Sequence, residues 1–160
     1  MKRFVSAISN YITGLRSGLR ATRAAAPKGG AVPGRFLEYK AKAEEGDAEA
    51  QFNLGFCYDD GRGVEKDYSH AVKWYRKAAE QNYAPAQFNL GYCYANGQGV
   101  ARDKVEAYVW FSMAAKADSD AAESRNLLRK ELTPQQFTDA QKRMKVLRLQ
   151  ITAKSKRSTH

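Results

Sequence analysis

Residues 48–80 read AEAQFNLGFCYDDGRGVEKDYSHAVKWYRKAAE, and residues 84–116 read APAQFNLGYCYANGQGVARDKVEAYVWFSMAAK. Set one above the other, about half of their positions are identical. The strongest block is Ala50-Gln51-Phe52-Asn53-Leu54-Gly55 against Ala86-Gln87-Phe88-Asn89-Leu90-Gly91. Cys57-Tyr58 then meets Cys93-Tyr94, Gly61 and Gly63 meet Gly97 and Gly99, and Asp67 meets Asp103. Ala71, Trp74 and Ala78-Ala79 meet Ala107, Trp110 and Ala114-Ala115. A period of this size marks an architecture whose units bury their apolar faces on one another.

Inside each period the chemistry spells helix, turn, helix. Ala50, Leu54, Cys57 and Tyr58 follow the i, i+4, i+7, i+8 spacing of an apolar helical stripe. Gly55 and Gly91 fall in mid-helix, where glycine costs about 1 kcal/mol against alanine; the cost is tolerable where another backbone must pass close by. Asp59-Asp60-Gly61-Arg62-Gly63 is loop chemistry. Asp67 and Asp103 stand where an N-cap belongs, and Ala71, Trp74 and Ala78 space the stripe of the second helix. Pro85 suits a first helical turn, where a missing N–H costs nothing.

Two repeats alone are marginal, so the flanks must supply further layers. Phe36, Leu37, Tyr39 and Ala43 read as a half-repeat helix in front, and Ala121, Ala122, Leu127 and Leu128 as one behind. Thr133-Pro134-Gln135-Gln136 is a capping box with proline at the first helical position. The helix it opens puts Phe137, Ala140, Met144, Leu147 and Ile151 on one face. The fold expected is all-α, a short α/α solenoid with capping helices. Its full repeats span about 47–82 and 83–118 within a solenoid of 35–152, followed by a basic disordered tail at 153–160.

The string A-x-x-L-G-x-x-Y…G-x-G-V…D…A…W…A-A resembles the Sel-one-like repeat, a relative of the tetratricopeptide repeat with a longer inter-helix loop. The Leu132-Thr133-Pro134 segment and the Gln- and Lys-rich helix after it look like the C-terminal ending of many bacterial members. The resemblance implies adaptor work in assembly, signalling or cell-envelope settings. Some secreted relatives bridge two cysteines per repeat; this chain has one in each, Cys57 and Cys93. Their equivalent slots put them about one repeat width apart, roughly 10 Å, beyond the reach of a disulfide. Two buried free thiols are expected, and with them a reducing compartment.

The net charge of +10 belongs to the ends of the chain. Residues 1–35 hold seven Lys/Arg and no acid, and 140–160 hold seven more and no acid, so that 36–139 sums to −4. Within residues 2–24, Phe4, Val5, Ile8, Tyr11, Ile12, Leu15 and Leu19 share one side of a helix at 100° per residue, with Lys2, Arg16, Arg20 and Arg23 opposite. That is a basic amphipathic helix weakened by Gly14 and Gly18. Three readings stand open: a helix docked on the solenoid, an interfacial membrane helix, or an organelle-targeting presequence if the source is a eukaryote. Pro27-Lys28-Gly29-Gly30 and Pro33-Gly34 read as a hinge that closes this 1–34 segment.

No constellation for catalysis emerges. His70 and His160 are the only histidines, and no cluster with metal-ligand spacing surrounds either. The glycine loops lack both the oxygen spacing of a calcium loop and the lysine of a phosphate loop. No cofactor is expected. Phe52, Phe56, Phe88 and Tyr92 lie off the main stripe by about half a turn, which aims them away from the second helices. Contact between adjacent first helices and an aromatic groove for a partner segment are both open for them. The function expected is a non-catalytic protein-interaction scaffold or adaptor using the inner solenoid surface, with another protein as partner. The alternatives are non-specific nucleic-acid binding through the basic ends, which the acidic body opposes, and a membrane-peripheral adaptor. In the latter, Phe4, Ile8, Tyr11, Ile12, Leu15, Leu19, Arg16, Arg20 and Arg23 would meet an anionic surface. The location expected is cytoplasmic, at a membrane periphery if that helix docks there.

Overall fold

The computed structural model describes residues 33–157, so the amphipathic segment at 2–24 and His160 lie outside the described residues. Seven helices and no strand are found among those residues. They are α1 (Pro33–Glu44), α2 (Ala48–Asp60), α3 (Tyr68–Ala79), α4 (Ala84–Asn96), α5 (Lys104–Ala114), α6 (Ser119–Arg129) and α7 (Pro134–Arg157). Each helix from α1 to α5 packs on the next, and α7 returns to lie on α5. The expected all-α solenoid of helix pairs is therefore the observed one.

The boundaries follow from side chains that satisfy orphan backbone groups. Asp47 accepts from the Ala50 N–H at 2.6 Å and Asp67 from that of His70 at 3.0 Å. Asp103 accepts from Val105 and Glu106, and Asp118 from Asp120 and Ala121. Among the helices whose N-cap is described, α4 lacks a side-chain cap; Tyr83 precedes it and Pro85 lies in its first turn. Gly61 and Gly97, at φ 73° and 69°, close α2 and α4 by donating to the carbonyls of Cys57 and Cys93. The capping box forms in both directions: Gln136 N–H donates to Thr133 Oγ1 at 3.2 Å, and Thr133 N–H to Gln136 Oε1 at 3.0 Å.

Both mid-helix glycines mark close approach, but to a ring rather than chiefly to a backbone. A Cβ on Gly55 would lie 2.8 Å from the Tyr75 ring, with the Ala71 carbonyl oxygen at 3.2 Å, and one on Gly91 would lie 2.9 Å from Phe111. Tyr75 and Phe111, each fully buried, are thus the aromatic keystones of α3 and α5. Trp110 is buried as expected, whereas Trp74 is only half-buried, with the Lys77 ammonium 4.0 Å from its ring centroid. In the stripe of α3, Ala71 and Ala78 are buried as read, but Tyr75 takes the place expected of Trp74.

Two glutamines tie each unit to the one before. The Gln51 amide donates to the Ala43 carbonyl at 3.1 Å and the Gln87 amide to that of Ala79 at 3.2 Å, both in buried surroundings. Each adds a second donor to a carbonyl at the end of the preceding helix, which also accepts a backbone N–H, that of Gly46 for Ala43 and that of Asn82 for Ala79.

At the ends the structure departs from expectation in three places. Pro33 and Gly34 begin α1 instead of a hinge, since proline's fixed φ suits a first turn. Leu37 faces solvent rather than the stack. Helix α7 continues through Arg157, beyond the expected start of a disordered tail; alanine and lysine favour helix, and basic residues suit its negative end. The face of α7 is as read: Ala140, Leu147 and Ile151 are buried, and Phe137 and Met144 half-buried.

Candidate functional site

The four aromatics singled out in the sequence divide into two pairs. Phe88 is 3% exposed and packs against Phe111 at 5.4 Å, and half-buried Phe52 packs against Tyr75 at 5.8 Å and Tyr83 at 5.5 Å. Both lean on the second helix of their own repeat, contrary to the expectation that they aim away from it. Aromatic rings are long enough to reach back over a glycine, and Gly55 and Gly91 leave that space open. Phe56 and Tyr92 behave otherwise, each half-exposed at the same register of α2 and α4.

Beside them lies a pair that the sequence reading passed over. Asn53 and Asn89 stand three residues before Phe56 and Tyr92, one helical turn away on the same face, and are half-exposed. Neither amide makes a hydrogen bond with the described residues. Their appearance in both copies of the Gln-Phe-Asn-Leu block was the available signal, but identity alone does not separate a surface amide from a structural one. Gln51 and Gln87 show the other outcome in the same block.

On this face the two repeats present different chemistry. The Arg62 guanidinium covers the Phe56 ring at 4.7 Å and is held by Asp60 at 2.7 Å. At the corresponding place the second repeat has Gln98 and Asn96, the latter donating to the Tyr92 carbonyl. Following the N-caps, the third first-helix puts Ser124 and Leu127 in these slots. The Ser124 hydroxyl oxygen is buried and unsatisfied.

His70 is exposed; it stacks on Tyr58 at 5.1 Å, and its Nδ1 lies 2.6 Å from Asp67 Oδ2. The N–H and ring of His70 hold the Asp67 carboxyl below its usual range. Asp67 is thereby committed to capping α3. Cys57 and Cys93 are buried and form no disulfide with each other, as expected. Burial pushes the Cys57 thiol up, which disfavours the nucleophilic thiolate. Among the described residues no group of His, Cys, Asp or Glu converges as a metal site, and no helix is long and apolar enough to cross a membrane.

Comparison with known proteins matches the Sel1 repeat family to residues 48–83 and 84–119. The structure resembles the protective antigen c5321 of uropathogenic Escherichia coli strains, which displays an SLR fold, with TM-score 0.70 and 37% identity over 74% of this chain. It also resembles a Sel1 repeat protein from Oxalobacter formigenes, with TM-score 0.56 and 44% identity over 57% of this chain. A stretch of 35 residues is 46% identical to DAP3-binding cell death enhancer 1 of Rattus norvegicus. The chain spans 26% and 38% of the two solved chains and 7% of the rat protein. With the period, the caps and these neighbours in agreement, residues 48–119 of the chain form two Sel1-like repeats.

Proposed function

We infer that this protein is a non-catalytic scaffold that holds an extended segment of another protein against the exposed faces of α2 and α4. Repeats of this family commonly mediate protein–protein contact, and one relative is named for binding a protein. The observation that carries the reading is the repeated pair of half-exposed amides, Asn53 and Asn89, each beside a half-exposed aromatic ring. An asparagine amide both donates and accepts, which suits a peptide backbone whatever its side chains. One extended segment, rising about 3.3 Å per residue, would meet both amides through its backbone groups. Phe56 and Tyr92 would receive the intervening side chains, as aromatic anchors do elsewhere.

The test is selection of random peptides on the full-length protein, followed by affinity measurement on variants. Losing one such hydrogen bond costs about 0.5–1.5 kcal/mol, so N53A and N89A should each weaken selected peptides by about 2–10-fold. Y92A should weaken them more. Peptides that bind all three variants as they bind the parent would sink the reading.

A membrane-peripheral placement through residues 2–24 rests on a separate observation, the seven apolar side chains opposite four basic ones. Each basic residue near an anionic surface contributes about 1 kcal/mol. Full-length protein should sediment with anionic vesicles and release as salt rises, while a chain starting at Gly34 should stay in the supernatant. Equal sedimentation of the two would remove this placement. Two buried, unbridged thiols support a cytoplasmic setting.

A further inference from the structure

Among the described residues three large apolar side chains stand out in water: Leu37 and Leu149, each 63% exposed, and Val146 at 47%. They occupy the two ends of the stack that the described residues form, Leu37 on α1 and the others on α7. Single exposed leucines are ordinary, but the helix faces around these two ends match. At 100° per residue, α1 turns Phe36, Tyr39 and Ala43 inward and Leu37, Ala41 and Glu44 outward. Glu45 follows on the same side, exposed, and Glu38 is already paired with Lys42 at 2.8 Å. Helix α7 turns its buried stripe toward α5 and presents Lys142, Lys145, Val146 and Leu149 on the opposite side. No acid lies anywhere in 140–160. One end thus sets Leu37 and Ala41 among Glu44, Glu45 and a single Lys40, and the other sets Val146 and Leu149 among Lys142 and Lys145 with a single Asp139 two turns before.

We propose that these faces dock on each other between copies, α7 of one molecule against α1 of the next, so that the solenoid continues head to tail. Terminal repeats of solenoids ordinarily present a polar outer face to stay soluble; here both ends retain apolar side chains. Charge selects the pairing. Two α7 faces would oppose lysines and two α1 faces would oppose glutamates, whereas α7 on α1 brings opposite signs together. A helix laid on a helix is also the contact this chain already makes between α5 and α7. Each side contributes one helix face, at the small end of interface sizes, so the association is weak and concentration-dependent. Because the contact is heterologous it need not close at a dimer.

Sedimentation velocity on the full chain from about 10 to about 500 µM tests this, a range suited to a small, weak interface. The mean sedimentation coefficient should rise with concentration, and rise less at high salt, which screens exposed charges. L37K and L149E should each abolish the rise, and circular dichroism should show both folded, since both side chains are already in water. Mixing the two variants should restore a dimer and nothing larger, because one intact end remains on each. Should either variant fold poorly, K145E takes the place of L149E and E44K that of L37K. A parent that stays monomeric throughout overturns the proposal. So does loss of association in L149E alone, which would mark a symmetric α7 contact. So does a monomer whose α7 face binds phosphatidylserine vesicles and loses them in L149E.

Discussion

The first repeat sets Tyr75 against its mid-helix glycine and the second sets Phe111 there; the acceptor changes with the ring, Asp59 in the one and Ala95 in the other. The Tyr75 hydroxyl donates to Asp59 Oδ2 at 3.3 Å in buried surroundings. Two polar partners are present together or absent together, as the cost of an unpaired buried polar group requires. Backbone geometry is common to both repeats, while the polarity of the joint between their helices is not. The second helices differ in cover as well. Helix α3 leaves Lys73 and Lys77 exposed and Trp74 and Arg76 half-exposed, whereas α5 buries Tyr108 through Ser112 without a break. Helix α6 lies on α5 as α4 lies on α3, but α7 also lies on α5, and among the described helices it has no counterpart on α3.

The largest effect that could break this comparison is at the tryptophans. Trp110→Ala should cost about 3–5 kcal/mol in denaturant unfolding, and Trp74→Ala about 1–2 kcal/mol for a ring only half-removed from water. Equal losses would mean that the two second helices are covered alike. Next come the glycines: Gly55→Ala and Gly91→Ala should each cost about 1–3 kcal/mol through overpacking, despite alanine's better helix propensity. A gain in stability at either would show that the ring yields freely.

The polar joint gives a smaller and sharper test. Phe111→Tyr should cost about 1–3 kcal/mol by placing a hydroxyl opposite Ala95, and Phe111→Tyr with Ala95→Asp should recover part of it. Tyr75→Phe should cost about 1 kcal/mol. If the double variant is no better than the sum of its parts, the covariation is not a hydrogen-bonded one. The smallest effect concerns acid. The folded pKa of Asp67 is held below its unfolded value, so its contribution is present above about pH 4, the ordinary carboxylate range, and is lost as pH falls through the lower folded value. Asp67→Asn should flatten the thermal melting profile below about pH 4, and an unchanged profile would show that the cap does not sense the proton.

Fold was readable because the repeat writes its own boundaries. Asp67, Asp103, Pro85 and the Thr133–Gln136 box are local devices, and all formed where their spacing put them. What stayed hidden depends on distance in space rather than in sequence. Trp74 and Tyr75 are adjacent and both aromatic, and a turn of about 100° decided which one meets Gly55. Phe52 and Phe88 looked like surface candidates by angle, but the reach of an aromatic ring carried them back to the second helix. Asn53 and Gln51 share one conserved-looking block, yet one faces solvent and the other caps Ala43; only the position of the preceding helix separates them. Leu37 reads as core in any apolar count and is exposed because no helix among the described residues lies outside α1.

The glutamine bridges also bear on how the molecule comes apart. Gln51 and Gln87 clip α2 and α4 to the helix before each, and the same slot of α6, four residues after its Asp118 cap, holds Ala122. The third junction has its own apolar burial, Ala121, Leu128, Ala140, Leu147 and Ile151, with rim contacts of Lys104 to Glu131 at 2.6 Å and Arg143 to Glu106 at 2.9 Å and with Tyr108 against Phe137, but no such clip. Opening should therefore begin there: α6 and α7 form a foldon that detaches while the clipped helices α1 to α5 stay closed. Amide protons of 119–157 would then exchange with solvent through a partly open state, sooner than those of 48–114 and without global unfolding.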